Sequence, residues 1–132
     1  MPSQFWRLSG GRPTIEVELT DATTDEPLAR LLLADTGAGD ALAGFELILH
    51  EDDCERCSDG ASHSASLGGA YSGLFPVYYL RVQIPAIGFD HIVPVVGMAD
   101  TSNDFDGIAC FRFLNRFTYG NFGNANGFGL EL

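Results

Sequence analysis

Leu31-Leu32-Leu33-Ala34-Asp35-Thr36-Gly37-Ala38 is an apolar run that ends in a carboxylate followed by Thr-Gly, a dipeptide typical of tight turns. The run begins at Leu28, and its composition predicts a strand over residues 28–34 that ends at Asp35. Such a strand carries an ionisable group to the edge of an apolar core, where catalytic carboxylates are often found. An Asp-Thr-Gly tripeptide also fits a simple strand-ending turn, in which the aspartate accepts hydrogen bonds from the following amides. The tripeptide alone leaves both interpretations open.

The rest of the chain has the composition of one folded, turn-rich β domain. Its 132 residues are close to the size of a single domain, so we expect one unit over residues 1–132. A hydrophobic content of 45%, with only 19% charged residues, excludes a disordered chain and a coiled coil. Residues 14–20 alternate between apolar and polar, which predicts a strand with one buried face. Further strands are predicted at residues 78–84, 91–96 and 127–132, and one helix at residues 108–117 with Arg112 and Arg116 on its polar side.

The charge balance limits the possible partners. Eighteen acidic and seven basic residues give a formal net charge of −11, and no basic run could neutralise phosphates. We therefore expect no nucleic-acid partner and no membrane partner. The chain shows neither the pattern of a signal peptide nor an apolar run of ~18 residues, so we expect a cytoplasmic protein. Three cysteines cannot all pair within one chain, which fits a reducing compartment.

The segment from Glu51 to Ser66 is rich in acidic and small polar residues, which predicts a solvated loop. It contains Cys54 and Cys57, and together with His50 and His63 these could form a tetrahedral zinc site. The spacing departs from the common zinc patterns, so an acidic loop with incidental thiols is favoured and no metal is predicted. The next segment, residues 67–73, is glycine-rich and predicts a flexible hairpin tip.

From Phe5 to Leu132 the order of these features resembles the retropepsin-like aspartic peptidases, the family of the retroviral proteases. The shared features are an apolar run entering Asp-Thr-Gly-Ala at 31–38, a glycine-rich flap at 67–73, a helix-start motif at 107–114 and a terminal strand at 127–132. The resemblance implies a mainly β fold, a retropepsin-like closed β-barrel with one short C-terminal helix, which forms a two-fold homodimer. The sequence departs from the family at Cys110, where glycine is usual, and at Arg112, where a carboxylate is frequent.

The resemblance also implies a hydrolase, an aspartic endopeptidase that uses no cofactor. Asp35 would be the catalytic residue, Thr36, Gly37 and Ala38 would support its loop, and the second carboxylate would come from the other subunit. Two carboxylates that share one proton can activate water and protonate the carbonyl oxygen of a peptide bond. An extended peptide or protein substrate would lie under flap residues Leu67, Gly68, Gly69, Ala70, Tyr71 and Gly73. Two alternatives stay open, a catalytically silent dimeric peptide-binding module of the same fold and the small zinc-binding protein.

Overall fold

The computed structural model describes residues 2–68, 72–101 and 104–132, and this part of the chain is mainly β. It contains strands, two short α-helices and one short 3-10 helix. In chain order they are β1 (Ser3–Arg7), β2 (Thr14–Thr20), β3 (Pro27–Ala34), β4 (Leu47–His50), α1 (Glu51–Arg56), β5 (His63–Leu67), β6 (Gly73–Ile84), the 3-10 helix (Pro85–Ile87), β7 (Phe89–Met98), β8 (Gly107–Ala109), α2 (Phe111–Leu114), β9 (Thr118–Gly120) and β10 (Gly127–Glu131).

Six strands close into a β-barrel, as expected. They follow the order β2-β3-β8-β4-β7-β6, and β6 pairs again with β2 where Glu18 faces Gln83 and Leu19 faces Val82. β5 pairs antiparallel with the outer part of β6 and extends the sheet beyond the barrel. The closure leaves none of the six barrel strands as an open edge, which satisfies backbone groups that an open sheet would expose.

The apolar side chains that the apolar–polar alternation of residues 14–20 predicts to be buried point into the barrel. Ile15, Val17 and Leu19 are buried, whereas Glu16 on the same strand is exposed. The predicted strand at 28–34 is also confirmed, with β3 beginning one residue earlier at Pro27. Alternation was sufficient for β2 because one face of that strand is buried, whereas β3 was predicted from the apolar composition of residues 28–34.

A second, three-stranded sheet has the order β1-β10-β9 and lies against the barrel. Phe128 and Leu130 of the central strand are buried in the main core, and Trp6 and Tyr119 pack against it. The predicted terminal strand is therefore confirmed. β10 takes both of its partners, β1 and β9, from its own chain.

The predicted helix at residues 108–117 is wrong over most of its length. Ile108 and Ala109 belong to β8, which lies between β3 and β4, and the helix α2 covers only Phe111–Leu114. The apolar spacing in this segment satisfied a helical pattern, but pairing with two neighbouring strands requires an extended backbone there.

The predicted solvated loop from Glu51 to Ser66 is also wrong. Its first part is helix α1 and its last part is strand β5, so the structure has two short α-helices where one was expected. The acidic residues in the first turn of α1 interact favourably with the positive end of the helix dipole. The Nδ1 atom of His50 accepts a hydrogen bond from the Asp52 amide and so caps the N-terminus of the helix. Cys54 and Cys57 face the core from this helix and its end.

Within the described residues, no helix has both the length and the apolar composition needed to span a bilayer.

Candidate active site

Asp35 lies directly after β3, at the point where the barrel ends and a turn begins. Its amide donates to the Ala109 carbonyl at 2.9 Å, which places the turn beside the end of β8. Its Oδ1 atom accepts the Gly37 amide at 2.9 Å, and the Ala38 amide donates to its carbonyl at 3.2 Å. The carboxylate is half-buried, whereas Thr36 and Gly37 are exposed. The aspartate therefore stabilises the turn and keeps its second oxygen, Oδ2, outside that hydrogen bond.

Glycine is needed beside the carboxylate. A Cβ atom at Gly37 would lie 3.3 Å from the Oδ1 atom of Asp35, closer than most such contacts. Gly39 has a φ of +71°, a left-handed conformation that residues with a side chain rarely adopt. The Asp35 turn therefore keeps a backbone surface without bulky side chains next to the acid.

The Asp35 carboxylate lines a cavity of about 630 Å³. One side is formed by the segment that follows Asp35, residues 37–45, and the other by residues 65–68 at the end of β5. Apolar side chains dominate these walls, and among the described lining residues the charged ones are Asp35 and Asp40. The side chains and backbone that line it are Asp35, Gly37, Ala38, Gly39, Asp40, Leu42, Ala43, Gly44, Phe45, Ile48, Ala65, Ser66, Leu67 and Gly68.

The described residues of the predicted flap lie at the end of β5 and the start of β6. Leu67 pairs with Gly73 and Ser66 with Leu74, so the strands that would carry a flap are present. Leu67 and Gly68 line the same cavity as Asp35. Gly73 begins β6 and does not line the cavity. The predicted flap residues Gly69, Ala70 and Tyr71 lie outside the described residues.

The start of α2 holds the segment that carries the candidate site. The Phe111 amide donates to the Ala38 carbonyl at 2.9 Å, and the Cys110 amide donates to the Glu46 carbonyl at 3.0 Å. Cys110 is completely buried here, and this burial, together with the negative charges of Asp35 and Glu46, raises the pKa of its thiol to about 12. The thiol is therefore protonated at neutral pH and acts as a packing group.

Glu46 is a residue of the site that sequence reasoning missed. Its side chain is fully buried and forms two hydrogen bonds with Arg116, from Nε to Oε1 at 2.5 Å and from Nη2 to Oε2 at 2.9 Å. Arg112 lies on α2 and Arg116 lies beyond the end of this helix, and the partly exposed side chains of both form hydrogen bonds with the segment before β4. The available signal was a glutamate between Phe45 and Leu47, because a charge inside an apolar stretch needs a partner.

The four residues of the possible zinc site have separate structural roles. Burial, and after it the charges of nearby groups with Asp53 first, raise the pKa of the Cys54 thiol to about 12. His50 caps α1, whereas the ring of His63 lies 6.0 Å from that of Tyr79 on β5 and β6. Within residues 2–68, 72–101 and 104–132, no group of three or more His, Cys, Asp or Glu side chains could hold a metal ion.

Comparison with known proteins gives no relative: no family model, curated protein or solved structure matches this chain significantly. Its function is therefore inferred from the chemistry of the Asp35 cavity, because a barrel fold by itself supports many activities.

Proposed function

We propose that this protein is an aspartic endopeptidase in which Asp35 activates the attacking water. The observation that carries the proposal is the position of the Asp35 carboxylate, at a strand end and on a cavity of about 630 Å³ bounded by a hairpin. A catalytic acid needs such a place, held by a rigid strand but open to a substrate.

The chemistry requires a second carboxylate. One group must remove a proton from water while the other protonates the carbonyl oxygen, and a pair that shares one proton can do both. Asp40, the other acidic residue on the cavity, accepts the Leu42 amide at 2.9 Å in a separate turn. Because the chain carries one Asp-Thr-Gly motif, we propose that the second carboxylate is Asp35 of another copy, which makes the enzyme a two-fold homodimer.

The cavity suits an extended peptide. Its walls carry the apolar side chains of Phe45, Ile48 and Leu67, which can bury an apolar substrate side chain. β5 is bonded to β6 along one edge, so its other edge can add a peptide as a further strand. Neither the burial of the substrate side chain nor the pairing of the peptide with β5 uses a cofactor.

The test is cleavage of an unfolded protein by the wild type and by Asp35→Asn. The variant keeps the size of the side chain but loses its charge, so it should fold normally and lose cleavage. Asp59→Asn, which changes an exposed carboxylate away from the cavity, is the control and should retain full cleavage. A statine-type transition-state mimic should inhibit the wild type. Cleavage by Asp35→Asn at the wild-type rate would overturn the proposal.

Dilution tests the dimer. Because each chain supplies one Asp35, specific activity should fall as the protein concentration is lowered through the dissociation range. Sedimentation of the same samples should show the loss of dimer over that range. An active monomer would refute the shared pair, and a dimer that binds the mimic without cleaving peptide would indicate the silent binding module.

A further inference from the structure

Residues 40–44, which we call the cavity wall segment, form one side of the Asp35 cavity. Two hydrogen bonds shape it from within: the Leu42 amide donates to Asp40 Oδ1 at 2.9 Å, and the Ala43 amide donates to the Asp40 carbonyl at 3.2 Å. Leu42 is 94% exposed at its tip. These bonds fix the shape of the segment but not its position relative to Asp35.

A side chain of α2 fixes the position of the cavity wall segment. The Nη1 atom of Arg112 donates to the Ala43 carbonyl at 2.8 Å. Among the residues that the structure describes, this is the one hydrogen bond that joins the cavity wall segment to another element. Ala43 also packs against the apolar cluster that contains Phe45, and the residues on either side of the segment are held through the Ala38 and Glu46 carbonyls, which accept hydrogen bonds from the Phe111 and Cys110 amides.

Arg112 is itself oriented by a buried charge. Its Nη2 atom lies 4.0 Å from Oε2 of Glu46, and its guanidinium therefore spans the carboxylate and the Ala43 carbonyl. Glu46 forms its two short hydrogen bonds with Arg116 and not with Arg112. The fold can consequently lose Arg112 and still keep the buried carboxylate paired.

We infer that Arg112 is a positioning residue that fixes the cavity wall segment and so sets how a substrate side chain is held beside Asp35. This inference rests on the proposed peptidase function. Arginine suits the role because its planar fork can point one nitrogen at a carbonyl while another faces a carboxylate. Lysine carries its three donors on a single nitrogen and lacks the planar fork that holds two nitrogens apart.

The effect of Arg112→Gln should fall on substrate binding. For a peptide with a large apolar residue at the cleavage site, KM should rise about tenfold, the value of one charge-assisted hydrogen bond, while kcat changes less than about twofold. Arg112→Lys should rescue part of the loss. The control is Arg81→Gln, which removes an exposed ion pair with Asp90 on β6 and β7 and should leave KM unchanged.

Hydrogen exchange provides a readout that does not need activity. The amides of Leu42 and Ala43 should exchange faster in Arg112→Gln than in the wild type, whereas exchange in the barrel strands stays the same. Unchanged exchange at these amides, or an unchanged KM in an active variant, would overturn the role of Arg112. Absence of cleavage by the wild type would instead refute the proposed function, and the exchange rates would then decide whether Arg112 fixes the segment.

Discussion

The Nε atom of Arg116 lies 2.5 Å from Oε1 of Glu46, and these two residues are 70 positions apart in the chain. The glutamate side chain has no exposed surface, whereas the arginine side chain is 34% exposed. The guanidinium also lies 5.7 Å from the centre of the Phe89 ring, and its hydrogen bonds to Glu46 raise the pKa of Arg116. This pair ties the start of β4, and with it the segment that lines the Asp35 cavity, to the end of α2.

The unequal exposure of the pair predicts unequal losses. Arg116→Gln leaves a buried carboxylate with Arg112 as its nearest cation, so it should lower the free energy of unfolding by about 2–4 kcal/mol. Glu46→Gln leaves a cation that water can reach, so it should cost about 1–2 kcal/mol. Urea unfolding of both variants measures the difference. Equal losses would show that burial of the carboxylate does not dominate.

Gly107 is expected to tolerate no side chain. A Cβ atom there would lie 2.2 Å from the Ile48 carbonyl oxygen and 2.7 Å from Cδ2 of Leu49, and the backbone of β4 cannot move away without breaking the barrel. Gly107→Ala should therefore cost at least about 3 kcal/mol in unfolding free energy. Gly44→Ala is the control, because a Cβ atom at Gly44 meets nothing within 4 Å. A Gly107→Ala protein as stable as the wild type would mean that β8 does not pack as described.

Cys54 should contribute to stability, contrary to the expectation of an incidental thiol in a loop. It is completely buried, and its sulfur lies 3.5 Å from the position that a Cβ atom on Gly97 would take. Cys54→Ser places a hydroxyl in this apolar environment and should lower the free energy of unfolding by about 1–3 kcal/mol. Cys54→Ala removes the sulfur without adding a polar group and should cost less. The comparison is made by thermal and urea unfolding, and a neutral Cys54→Ser would show that the thiol has no structural role.

Asp21 should stabilise the protein at neutral pH, and this contribution should be lost in acid. Its carboxylate accepts a hydrogen bond from Arg56 at 2.7 Å and others from the amides of Thr23 and Thr24, which together lower its pKa from 3.8 to about 2. Because the folded pKa is below the unfolded value, this contribution is complete above about pH 4 and is lost as the pH falls from 3.8 to about 2.

Asp21→Asn should consequently be less stable than the wild type at pH 7, and the two proteins should converge as the pH approaches 2. Urea unfolding at a series of pH values measures this convergence, with Asp59→Asn as a control for an exposed carboxylate. A difference between wild type and Asp21→Asn that stays constant down to pH 2 would show that the charge of Asp21 is not the cause.

Strand β2 and the end of β3 at Asp35 could be predicted because the information is local. From Ile15 to Leu19 buried side chains alternate with more exposed ones, and the burial of one face is enough to select an extended backbone. The Asp-Thr-Gly turn follows from residue types that favour turns wherever they occur. The position of Asp35 at a strand end was therefore predicted before any contact was known.

The sequence by itself determined the β character of the chain and the placement of Asp35 at a strand end. The tertiary structure decided that residues 107–109 form a strand, that Cys54 is a core residue, and that Glu46 meets Arg116. The reason is physical: a helical pattern at 108–117 competes with strand pairing to β3 and β4, and partners 70 residues apart leave no local periodicity. Pairings of that kind exist only once the barrel has closed, because closure brings the segment before β4 against α2.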